Sequence, residues 1–125
     1  IIHFLKDTDL THADFDNIRK LIDKMVHYVG EMLRNAILSF SNEDSALAYN
    51  VIKEDDKVDA IFHEIGISLQ ETFANRQMTK SQIQNIINAN AISHNLERVG
   101  DSATNIAEAA IYLTEGKDIR HGNKE

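Results

Sequence analysis

No proline interrupts this chain of 125 residues, and apolar side chains recur along most of it at steps of three and four. Proline breaks helix interiors because it removes a backbone donor and clashes with the preceding turn. Here the helical period can therefore run on for as long as the apolar stripe lasts. Three stripes do so. The first is Phe15, Ile18, Ile22, Met25, Val29, Met32 and Ala36, close to a heptad pattern. Its helix is expected to start near Thr11–Asp14, capped by Thr11 or Asp14, with Asp16 at the positive end of the dipole. It should stop among the small polar residues of Ser39–Asn42.

The second stripe is Leu47, Val51, Val58, Ile61, Phe62, Ile65, Leu69 and Phe73. Its helix is expected from about Asp44 to about Asn75, with Ser41 or Asn42 as cap, and Glu54 intrudes into the stripe without an evident reason. The third stripe, Ile92, Leu96, Val99, Ala103, Ile106, Ala110 and Leu113, alternates steps of four and three. Its helix should begin near Thr79 or Lys80 and end near Glu115, where Gly116 occupies the usual C-terminal cap position.

Helices of roughly 30 residues are roughly 45 Å long at 1.5 Å per residue. Connections of a few residues favour antiparallel neighbours. The sequence therefore predicts an all-α fold, an up-down-up antiparallel three-helix bundle over residues 11–116, with no β-type alternation to compete. Residues 1–10 read as a linker or the end of a preceding element, and 117–125 as a solvated tail.

A net charge of −7 disfavours nucleic acid and a polybasic grip on anionic lipid, both of which need a basic face. The absence of cysteine excludes disulfides, thiolate zinc sites and iron–sulfur clusters. No apolar run reaches the length of about 18–20 residues that spans a bilayer. The chain begins at Ile1 rather than Met, so it reads as a piece of a longer protein whose N-terminal signals, if present, lie upstream.

Glu97 and Asp101 stand four residues apart on the third helix, with Asn105 four further on, and Asp55 and Asp59 repeat the spacing on the second. Oxygen ligands so spaced share one side of a helix and can hold hard cations. Measured from the third stripe, Glu97 and Asp101 fall about 160° away, on the outward face, which equally suits an ordinary solvated surface. Asp55 and Asp59 lie beside their stripe and point toward a neighbouring helix. Asp55, Asp56 and Asp59 repel one another, and Lys57 is the one cation among them. His94 lies one turn before Glu97; His27 and His63 read as edge-of-core or surface residues, and His3, His12 and His121 as terminal. The Glu-x-x-His pairs of a di-iron bundle, a zincin motif, a phosphate loop and an activated nucleophile are all missing.

Residues 96–121 resemble the PhoU family of phosphate-uptake regulators, in L-E-R-V-G-D (96–101), N-I-A-E (105–108) and I-Y-L-T-E-G-K-D-I-R-H (111–121). The stretches Asn50-Val51-Ile52 and Asp55-Asp56-Lys57-Val58-Asp59 are similar too. The resemblance implies an all-helical protein, usually of two three-helix repeats, with metal carried on surface acidic pairs. Those pairs map onto Asp55 with Asp59 and Glu97 with Asp101, and the ion would be iron, zinc, manganese or magnesium. Asn105 and His94 are further donors nearby. The family's members are adaptors rather than enzymes. They act in the cytoplasm or at the inner face of the membrane, between the ATPase subunit of a phosphate ABC transporter and a phosphate-sensing histidine kinase, and hold the response off when phosphate is plentiful. A single repeat is present here, and its ending resembles the close of a C-terminal repeat. The resemblance thus implies one half of a longer regulator, a half that forms a homodimer, or a cytosolic domain of a sodium–phosphate cotransporter.

Overall fold

A computed structural model describes residues 13–74 and 77–121. Three helices, α1 (Ala13–Ser41), α2 (Ser45–Ala74) and α3 (Lys80–His121), each pack against the other two. The up-down-up bundle expected from the stripes is the observed architecture, and there is no strand among the described residues. The expectations for residues 1–10, for a cap at Thr11, for a helix end at Asn75 and for 122–125 lie outside the described residues.

The α1 stripe is buried in full, Phe15 through Ala36. In α2 the core is Ala48, Val51, Val58, Ile61, Ile65 and Leu69, with Phe62 packed on its edge. At about 25 cal/mol per Å² of apolar surface removed from water, these contacts are the main force holding the helices together. The hydroxyls of buried Ser39, Thr72 and Ser93 cost little because they bond back into their own helices: Ser39 to the Ala36 carbonyl at 2.7 Å, Thr72 to Ser68 at 2.8 Å and Ser93 to Asn90 at 2.9 Å.

The junctions differ in detail from the expectation. The cap of α2 is Asp44, whose carboxylate accepts from the Leu47 amide at 3.1 Å, and not Ser41 or Asn42. Ser41 is still helical and donates to the Ile37 carbonyl at 2.7 Å. Between them Glu43 takes a left-handed conformation (φ 53°), which turns the chain within three residues. The start of α3 is a reciprocal capping box: the Gln82 amide donates to Thr79 Oγ1 at 3.1 Å, and the Thr79 amide donates to Gln82 Oε1 at 3.0 Å. Gly116 does not end α3. It has no positive φ, and the helix continues to His121, through the first part of the expected tail. With no proline downstream, a helical glycine costs only about 1 kcal/mol relative to alanine, too little to stop a helix already 36 residues long at Glu115.

The largest correction concerns which face of α3 is inside. Val99 and Leu113 are 37% and 47% exposed, although the expected stripe includes both. The buried row is Ala89, Ser93, Leu96, Gly100, Ala103, Ala107 and Ala110, which also alternates four and three. The two rows share Leu96, Ala103 and Ala110 and differ by about 50° of rotation at 100° per residue. Small side chains win at the core because they let α3 approach both neighbours. That rotation brings Glu97 from the outward face to the seam with α2.

Candidate metal centre at the α2–α3 seam

Gly100 is buried on α3 and faces both α1 and α2. A β-carbon there would stand 3.6 Å from Val58 Cγ1 on α2, 3.8 Å from Val29 Cγ2 on α1 and 3.8 Å from Asp55 Oδ1. Glu97, half-buried, stands one turn before this contact on α3, and Asp101, exposed, directly follows it. Across the seam α2 presents Asp55, half-buried, and Asp59, exposed. The structure thus brings all four sequence-predicted site residues to one seam.

Their charges act on one another. Burial first, then repulsion from Asp59, Asp101, Asp56 and Glu97, pushes the Asp55 carboxyl up to about 6. Glu97 is also raised, by burial and then by Asp101 and Asp59, while nearby His94 draws it back down. Asp55 Oδ1 is shut off from solvent and accepts no hydrogen bond. A buried carboxylate oxygen without a partner is costly, and either protonation of Asp55 or a bound cation relieves the repulsion.

The cation expected to offset these acids is engaged elsewhere. Lys57 turns toward α1, with Nζ 3.4 Å from Glu54 Oε2 and 5.7 Å from the centre of the Tyr28 ring. Arg98 forms no ion pair with Glu97 or Asp101 among the described residues. His94 is exposed and sets its ring edge-on to Phe62 at 4.9 Å, beside the seam. Asn105 is exposed on the turn after Asp101. Among the described residues, no three His, Asp or Glu side chains are gathered closely enough to enclose one ion. The seam has the donor type and an unsatisfied oxygen that suit a hard cation, with Asp59 and Asp101 exposed at its edges.

Sequence reasoning missed Gly100, whose signal was the second four–three row through the small residues of α3. It also misplaced Lys57, because helical spacing fixes a direction around one axis and not which neighbour lies there.

Fold and site together define an all-α bundle with an acid-lined seam. Residues 22–110 match the family model described as the PhoU domain, and the chain belongs to the PhoU family. It is 32% identical over 116 residues to the phosphate-specific transport system accessory protein PhoU homolog 1 of Thermotoga maritima, covering 93% of this chain and 47% of that relative. Homologs of the same description from Xylella fastidiosa and Pseudomonas aeruginosa are each 36% identical over 93 residues, covering 71% and 74% of this chain and 36% and 37% of theirs. The chain therefore spans less than half the length of these relatives. No solved structure matches it.

Proposed function

We propose that this chain is a regulatory adaptor domain of bacterial phosphate uptake, which restrains uptake and phosphate-regulon signalling when phosphate is plentiful. The carrying observation is the family match across residues 22–110, with relatives described as accessory proteins of phosphate-specific transport. The role is accessory and not enzymatic. Its partners are the ATPase subunit of a phosphate ABC transporter and a phosphate-sensing histidine kinase, and its place is the cytoplasmic side of the membrane. No described helix is long and apolar enough to cross a bilayer. A phosphate-controlled reporter in a host lacking its own accessory protein tests the reading. The complete reading frame that encodes these residues should restore repression at high phosphate. A reporter that stays fully active at high phosphate, with the protein expressed and folded, sinks it.

Asp55, Asp59, Glu97 and Asp101 would hold the metal, with the Asp55 oxygen that now lacks a partner as the inner ligand. Carboxylate donors suit iron, manganese, magnesium or zinc. The ion would supply positive charge that neutralises the seam and ties α2 to α3. Metal analysis and calorimetry should show lower stoichiometry or affinity for Asp59→Ala and Glu97→Ala than for wild type. Unchanged values in both variants remove this site.

A further inference from the structure

On the opposite side of α2 from the acidic seam, a cleft of about 300 Å³ opens between α1 and α2. Its size is at the low end for ligand pockets, suited to one side chain. Met32 and Val51, each 1% exposed, form an aliphatic floor. The Tyr28 ring makes one wall, backed edge-on by His27. Asn35 from α1 and Asn50 from α2 bring amides to the rim, and Glu31 and Glu54 bring carboxylates from the same two helices. Glu54 is the acid that interrupts the apolar stripe of α2, and here it is half-buried with its carboxylate at the cleft.

A cation of the chain itself already uses this environment. The Lys57 ammonium lies against both the Tyr28 ring and the Glu54 carboxylate. It is a point charge and engages one acid. Among the described residues Glu31 is paired with Arg34 of its own helix, at 3.7 Å between two exposed side chains, a contact worth little. An aliphatic floor, an aromatic face and acceptors on both rims are together what a guanidinium with its hydrocarbon stem satisfies: the stem packs, the plane stacks, and five donors reach several acceptors. Two carboxylates make the cleft hostile to anions, and the net charge of −7 draws basic partners toward it.

We propose that the α1–α2 cleft receives an arginine side chain of a protein partner, with Lys57 as the resident cation that the arginine displaces. The inference is independent of the metal at the α2–α3 seam and of the phosphate-regulatory reading.

The probe is a blocked tripeptide, acetyl-Gly-Arg-Gly-amide, titrated into the protein and followed by NMR, with the citrulline tripeptide as the uncharged isostere. Saturable shifts should appear at Tyr28, Asn35, Asn50 and the Met32 methyl, and the citrulline peptide should bind about tenfold more weakly or worse, the loss expected for one charge-assisted contact. Glu54→Gln should weaken binding by a similar factor. Lys57→Met should tighten it several-fold, whereas Lys20→Met, which removes an equal charge from the distant Lys20–Asp16 pair, should leave it unchanged. The gain in Lys57→Met cannot arise from misfolding. Equal binding of the citrulline peptide, unsaturable shifts spread over the acidic surface, or an unmoved affinity in Lys57→Met overturns the proposal. Free arginine binding more tightly than the blocked peptide overturns the assignment to a protein partner.

Discussion

Asp55 concentrates the tension between stability and function in a single carboxyl. Its pKa in the folded chain is about 6, above the ordinary value of 3.8 that it regains on unfolding. Between these values the folded state holds a proton that the unfolded state has lost, so stability falls as pH rises. The favourable contribution is complete below about pH 3.8 and gone above about pH 6. Chemical denaturation of metal-free protein should therefore show this group's contribution declining from pH 4 to 6. Asp55→Asn should lack that decline, be more stable than wild type at pH 7 without metal, and bind metal more weakly. A wild type no less stable than Asp55→Asn at pH 7 contradicts the assignment. Gly100 offers a second residue-scale test. A methyl there meets its neighbours at ordinary van der Waals distances, so Gly100→Ala should be neutral or stabilising by up to about 1 kcal/mol, from helix propensity. Gly100→Leu has no such room and should lower the thermal midpoint sharply.

At the scale of elements, the helices owe their ends to side chains of the connections. The Thr79–Gln82 box and the Asp44 cap satisfy amides that would otherwise lack partners. Thr79→Ala and Asp44→Ala should each cost about 1 kcal/mol in denaturant unfolding. A core truncation such as Met32→Ala should cost about 2–5 kcal/mol, because the cavity collapses only partly. These costs separate local from tertiary contributions to the same helices. The α1 stripe was fully legible from its period, since a helix packed on two neighbours through large apolar side chains offers one obvious face. The α3 face was not. Two rows of similar period compete there, one with larger side chains and one with smaller. Close approach at Gly100 and Ala103 selects the smaller, leaving Val99 and Leu113 outside.

At the scale of the molecule, a cation at the α2–α3 seam would link two helices whose facing carboxylates repel. Binding to the folded state alone stabilises it by about 2.7 kcal/mol when the free ion is a hundred times its dissociation constant. Chelation of metal-loaded protein should therefore lower the thermal midpoint by several degrees, and Asp59→Ala should be insensitive to chelator. Equal sensitivity in the two proteins removes the metal from this seam. The division between chain and fold can be drawn from these residues. Period, proline-free length and short polar breaks determined by themselves that three antiparallel helices form, because each is a local property of spacing and propensity. The four-residue pairing of Asp55 with Asp59 and of Glu97 with Asp101 was likewise legible, since i and i+4 share a helix side in any fold. Only the tertiary structure decided that the two pairs meet across one seam, that Asp55 is left with an unpartnered oxygen, and that Lys57 and Glu54 turn away to the α1–α2 cleft. Those outcomes depend on how α3 rotates against its neighbours, and the rotation is set by side-chain volumes on three helices at once, a quantity that no single helix encodes.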